Sequence, residues 1–152
     1  MQLDTLVAPD LIFPELPAFD VSTVLRAFSE RIVATNRLPD SDSLYQALWE
    51  REQLGSTGVG HSVAIPHCKM EGLSEVLLAV GYVTKGIEYG AVDGLPVRLF
   101  FLVISPRSQP AAHLQCLAAI SKWVQKSGRV ETLLQTNDSA AVLKLLGSEE
   151  VA

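Results

Sequence analysis

Val97-Arg98-Leu99-Phe100-Phe101-Leu102-Val103-Ile104 is almost uninterruptedly apolar. β-branched and aromatic residues dominate it, and no helix cap precedes it, so it reads as a strand. A strand with one wet face would alternate apolar and polar residues. This one does not, so both faces are expected to be covered. Val76 to Val83 has the same character, and the two are read as central strands. Covering them on both sides requires helices above and below, which predicts a three-layer α/β/α domain with a mixed sheet. Between them, Asp93-Gly94 is a turn signal, and Glu88 and Asp93 read as turn or surface residues rather than acid–base groups.

The helices follow from periodicity. Asp20 is a good N-cap, and Val21, Val24, Leu25, Phe28, Ile32 and Val33 predict a helix from Val21 to about Thr35. A second should begin near Ser41 or Asp42 and reach about Leu54, with Leu44, Ala47, Leu48 and Leu54 as its buried stripe. Pro110 suits a first helical turn and opens a third, to about Lys126. Its buried face is expected to be Leu114, Leu117, Ala118, Ser121 and Val124. Two short helices should close the chain, Arg129 to Gln135 and Ser139 to Leu146, the latter capped by Asp138 and stopped by Gly147. Leu11-Ile12-Phe13 is expected as a brief first strand, and Ser148 to Ala152 as a frayed tail.

The chain has 152 residues, 48% apolar and 19% charged, which fits one ordinary domain with a sizeable core. The formal net charge of -5 and the lack of a basic run disfavour a nucleic-acid surface. Two cysteines, Cys68 and Cys116, do not suggest a disulfide framework. Met1-Gln2-Leu3-Asp4 is acidic where a signal peptide is basic. No apolar run approaches the ~20 residues that span a bilayer. A soluble, cytoplasmic protein without a second domain is expected.

The chemistry concentrates around Gly58-Val59-Gly60-His61-Ser62-Val63-Ala64-Ile65-Pro66-His67. Val63 to Ile65 reads as an edge strand that Pro66 ends, since proline cannot donate to a ladder. His67 would then stand at the strand tip, at the surface, either as a residue that merely caps the sheet or as a reactive imidazole. Imidazole changes charge near neutral pH and is a nucleophile. The glycines from Gly55 to Gly60 would let backbone N–H groups turn toward an anion, with hydroxyls from Ser56 and Thr57. No Lys-Ser/Thr follows, so this is not a Walker loop. Cys68 to Gly72 reads as a polar connection. Arg51 is either a fork for phosphate or a solvated helix end paired with a neighbouring Glu. His113 falls in a first helical turn, where an anion is favoured and a cation disfavoured. The residues alone also allow it a solvent-facing role. A zinc set drawn from His61, His67, Cys68, His113 and Cys116 is a further alternative. Its spacings match no standard finger, and adjacent strand residues such as His67 and Cys68 point apart.

Arg51-Glu52-Gln53-Leu54-Gly55-Ser56-Thr57-Gly58-Val59-Gly60, followed by Ala64-Ile65-Pro66-His67, resembles the active-site segment of the enzyme IIA family of the bacterial sugar phosphotransferase system. The resemblance is to the fructose/mannitol type with its nitrogen-regulatory branch, and extends from about Leu11 to Leu146. Asp93-Gly94-Leu95-Pro96-Val97 also matches a segment of that family. Cys68 departs from it, where a small residue is usual. The resemblance implies that His67 accepts a phosphoryl group and that His113 is the second active-site histidine. Arg51 would lie near the phosphate, with Thr57, Gly58 and Gly60 beside it. It implies a phosphocarrier donor of the HPr type, and an enzyme IIB or a regulated protein as the next partner. No cofactor is implied, because donor and acceptor are both imidazoles. With no transporter or enzyme IIB domain in the chain, the regulatory branch is favoured slightly over a fructose/mannitol-type subunit that feeds a separate enzyme IIB. A member that binds partners without accepting phosphate is the further alternative, against which His67 and Arg51 both stand. An apolar docking rim of Val59, Val63 and Met70 is expected around His67.

Overall fold

Strand β6 (Val97–Pro106) holds the molecule together. The computed structural model describes residues 2–126 and 128–147, so the tail expected from Ser148 lies outside the described residues. In chain order the elements are β1 (Ile12–Phe13), α1 (Val21–Val33), α2 (Ser41–Gln53), β2 (Gly58–Gly60), β3 (Val63–Ala64), β4 (His67–Met70) and β5 (Leu77–Ile87). After β6 come α3 (Pro110–Val124), α4 (Arg129–Leu134) and α5 (Ser139–Gly147). The six-stranded sheet runs β1-β5-β6-β3-β2, with β4 also paired to β6. β5 is antiparallel to β6, whereas β3 and β4 are parallel to it. The sheet is therefore mixed.

Layering follows from the pleat. Phe100 and Phe101 are adjacent on β6 and point to opposite faces. Phe100 meets Phe28 of α1, ring centroids 6.2 Å apart, whereas Phe101 meets Trp123 of α3 at 5.6 Å. Helices α1 and α2 cover one side, and α3 and α4 pack on the other. Every residue of β6 except Arg98 is buried, as a strand enclosed on both faces requires. Between Phe13 and Phe100 on the neighbouring strands sits Gly81 of β5. A Cβ there would lie 2.7 Å from both Leu16 Cδ1 and Phe28 Cζ, so the missing side chain is what admits the Phe28 ring.

Helix starts match their caps. Asp20 Oδ1 accepts the Thr23 N–H at 2.8 Å and Thr23 Oγ1 accepts the Asp20 N–H at 3.0 Å, a capping box. Asp40 caps α2, and Asp138 accepts from Ala140 N–H. Leu54 lies beyond the end of α2 and is 83% exposed, not part of its buried stripe. Helix α3 is rotated from the expected face: His113, Cys116, Ile120, Trp123 and Val124 are buried, and Leu114 is 66% exposed. The sheet-facing stripe is anchored by His113 and Trp123, polar-tipped residues that apolar periodicity passes over.

The histidine stretch also departs from expectation. β3 is an interior strand between β6 and β2, so the edge is β2, formed by the presumed glycine loop. A two-residue turn joins them, with His61 and Ser62 at φ 58° and 64°. Positive φ at both central positions suits a tight hairpin, because its twist matches that of the strands. Asp93 Oδ2 accepts the His61 N–H at 3.1 Å and holds the turn. Pro66 interrupts the strand rather than ending it. Its carbonyl accepts Val103 N–H at 2.9 Å, and pairing with β6 resumes as β4, so Cys68 to Met70 are strand, not connection.

Gly81→Ala is expected to cost about 1–3 kcal/mol through overpacking against Phe28 and Leu16. Urea denaturation of the variant measures this; an unchanged midpoint would show that the ring gives way freely.

Candidate active site

His67 opens β4 and is half-buried. Its Nδ1 lies 2.8 Å from the carbonyl oxygen of Ile65. A carbonyl only accepts, so Nδ1 carries the hydrogen and Nε2 keeps its lone pair. Two residues of strand thus set the tautomer. The register places His67 beside Val103 and Lys69 beside Ser105. By alternation these four share the face of Phe101, the one α3 covers.

From that side comes His113, in the first turn of α3, buried at 6% exposure. Its ring centroid lies 5.4 Å from that of His67, the planes inclined by 61°. Its Nδ1 is 2.5 Å from Ser105 Oγ. The structure therefore brings together the two histidines singled out from the sequence. Both imidazoles are held below the ordinary pKa of 6.5. For His67 burial is the main cause, opposed by the Ile65 carbonyl and reinforced by the charge of Arg51. For His113 burial again leads, followed by His67 and Lys69.

Arg51 stands in the last turn of α2, half-buried, and its Nη1 donates to Gly55 O at 3.0 Å. Among the described residues it has no carboxylate partner. The neighbouring Glu52 turns inward instead, 100° away around the helix. At 8% exposure its carboxylate accepts Thr57 N–H at 2.6 Å, Thr57 Oγ1–H at 2.8 Å and Tyr89 O–H at 3.0 Å. Burial and the Glu52 charge push the Tyr89 phenol upward, keeping it a donor. Both Thr57 donors are thus engaged within the protein. Gly58 N–H donates to Ser56 Oγ at 3.1 Å, and a Cβ on Gly58 would lie 2.8 Å from that of Ala91. Close approach of the segment around Ala91 is what demands glycine there.

Sequence reasoning missed Glu52, Tyr89 and Ser105. Ser105 had a readable signal, being a polar residue at the end of a buried run and two positions from Val103 on one face. Glu52 had none, since its partner Tyr89 is distant in the chain. The other zinc candidates do not converge with the histidines: among the described residues no three His, Cys, Asp or Glu side chains form a metal set. Cys68 and Cys116 are free and buried, their thiols pushed up to about 12 and about 11 by burial. Of the expected apolar rim, Val63 is wholly buried, Met70 half-buried and Val59 exposed. Among the described residues no helix is long and apolar enough to cross a membrane.

Residues 5–149 match the family described as phosphoenolpyruvate-dependent sugar phosphotransferase system, EIIA 2. A nitrogen regulatory protein of Bradyrhizobium diazoefficiens is 32% identical over 148 residues, covering 96% of this chain and 95% of its own. A fructose-specific EIIA component of Haloferax volcanii is 30% identical over 144 residues, covering 95% and 94%. The crystal structure of nitrogen regulatory protein IIA-Ntr from Neisseria meningitidis superposes with a TM-score of 0.83 at 23% identity, over 95% of this chain and 98% of that one. Members of the family accept a phosphoryl group on a histidine and pass it to an EIIB component, and the nitrogen-regulatory branch is regulatory. A mixed sheet between helical layers, a histidine with a free Nε2 and a match along nearly the whole chain agree: this protein belongs to the EIIA 2 family of the sugar phosphotransferase system.

Proposed function

We propose that His67 Nε2 is the atom that accepts the phosphoryl group. The observation that carries this is the bond from Nδ1 to the Ile65 carbonyl, which leaves a lone pair on Nε2 beside a second imidazole. A neutral imidazole is the nucleophile, and burial keeps His67 neutral. The donor is a phosphohistidine on a carrier protein of the HPr type. As the Nε2–P bond forms in line, the donor N–P bond breaks and its electron pair leaves with the carrier imidazole. Positioning and charge stabilisation suffice for such a transfer.

Arg51 lies on the rim without a carboxylate partner, so its guanidinium is available to fork onto phosphoryl oxygens. His113 offers its remaining nitrogen, Nε2, to the same group. Thr57, Gly58 and Gly60 serve by shaping the hairpin, with Glu52 as its internal anchor. The carrier docks over His67, with exposed Val59 of the β2 hairpin and half-buried Met70 of β4 as candidate contacts. The chain works as one phosphotransfer domain in the cytoplasm, its core from about residue 11 to 146. The phosphoryl group then passes to an enzyme IIB or marks the protein for a regulated partner. The regulatory role is favoured by the 32% identity to a nitrogen regulatory protein along 96% of the chain.

Incubated with phosphoenolpyruvate, enzyme I and the carrier, the protein should gain one phosphoryl group by intact mass, and His67→Ala should gain none while keeping its circular dichroism. Labelling of His67→Ala at the wild-type rate would move the acceptor elsewhere. Arg51→Lys should slow transfer by a factor corresponding to about 2–4 kcal/mol, because an ammonium cannot reproduce the bidentate fork. Equal rates would make Arg51 a solvated helix end. The depressed pKa of His67 predicts an NMR titration midpoint below 6.5 in the free protein. Acidification through 6.5 should then leave most of His67 neutral, and a midpoint above that value would contradict the burial argument.

A further inference from the structure

Ser105 lies at the end of β6, is completely buried, and has one hydrogen-bond partner for its hydroxyl among the described residues: His113 Nδ1, at 2.5 Å. A hydroxyl both donates and accepts, and so does a neutral imidazole, so two arrangements satisfy the distance. In one, His113 Nδ1–H donates to Ser105 Oγ. The serine O–H is then a buried donor without an acceptor, which is unfavourable. In the other, Ser105 O–H donates to an unprotonated Nδ1. Both groups are then satisfied, and the imidazole hydrogen sits on Nε2.

From this contact we infer that Ser105 is a positioning residue that locks His113 as the neutral Nε2–H tautomer, poised to donate to a phosphoryl oxygen on His67. This rests on the reading of His67 as acceptor. The two histidines are then complementary. A backbone carbonyl takes the Nδ1 hydrogen of His67 and frees its Nε2 as a nucleophile, whereas a side-chain hydroxyl gives a hydrogen to Nδ1 of His113 and makes its Nε2 a donor. The 5.4 Å between ring centroids leaves the rings close enough to act on one group.

Protonating His113 at Nδ1 would reverse that bond and leave the buried Ser105 O–H without an acceptor, and the groups that bear on His113 give no help. His67 and Lys69 of β4 both disfavour a cation there, as burial does. His113 thus assists as a hydrogen-bond donor without carrying charge. The permanent positive charge at the phosphoryl group comes from Arg51.

Histidine-selective 15N labelling and long-range proton–nitrogen correlation, above the ordinary imidazole pKa of about 6.5, decides the tautomer on the unphosphorylated wild-type protein. A pyridine-like Nδ1 and a pyrrole-like Nε2 on His113 are expected; the reverse assignment overturns the proposal. Ser105→Ala should give a mixed tautomer and slow phosphoryl transfer from the carrier on the order of tenfold, by analogy with removing the outer-shell partner of a metal-bound histidine. Ser105→Thr, which keeps the hydroxyl, should restore the tautomer. An unaltered tautomer in folded Ser105→Ala would also overturn it. If the wild-type protein takes no phosphoryl group, the acceptor assignment fails, while the nitrogen shifts still decide what Ser105 does.

Discussion

The hydrogen-bonded register of β6 with its parallel neighbours is the constraint on which everything else depends. Ser62 O accepts from Arg98 and Leu99, and Pro66 O accepts from Val103, so both ends of the Val63–Pro66 segment are tied to one strand. With the segment fixed, His67 must fall beside Val103 and Lys69 beside Ser105. A slip of one residue would turn every side chain to the other face and carry His67 away from α3. The burial of Phe100 and Phe101 against opposite helical layers makes such a slip costly, because each ring would exchange its partner.

Pro66 does something at this strand that no other residue could do at the same position. It has no N–H to give the ladder, so the strand breaks for one residue while its carbonyl still accepts. Ile65 faces the other side of the strand: its N–H donates to Thr57 O at 3.0 Å and its carbonyl receives the His67 ring. The interruption ends β3 and begins β4, and the Ile65 carbonyl beside it selects the imidazole nitrogen that stays free.

Around the histidines the electrostatics are divided between neighbours in sequence. Arg51 and Glu52 are consecutive on α2, yet one faces the rim and the other the interior. Glu52 spends its charge on three internal donors and so ties α2, the β2 hairpin and Tyr89 together. Arg51 donates to Gly55 O and meets no carboxylate among the described residues. A protein of net charge -5 therefore keeps a local cationic rim of Arg51 and Lys69 beside two neutral imidazoles. The neutral rings add no charge repulsion to that rim.

The sequence by itself determined the layered class, because an apolar run such as Val97–Ile104 can be satisfied only by cover on both faces. It determined helix starts at Asp20 and Asp138, because each acts on an amide two or three residues away, whereas the cap at Asp40 emerged from the structure. It also marked His67 and Arg51, through an ordered segment that resembles a known active site, and His113, through its place in a first helical turn. What only the tertiary structure decided depends on partners far apart in the chain. The β2 hairpin looks like a loop until β3 is seen to lie between it and β6. The inner face of α3 is set by Ser105 and Phe101 on β6, which no periodicity within the helix contains. The role of Glu52 is fixed by Tyr89, 37 residues on, and hydrogen-bond chemistry of that reach exists only once the sheet has formed.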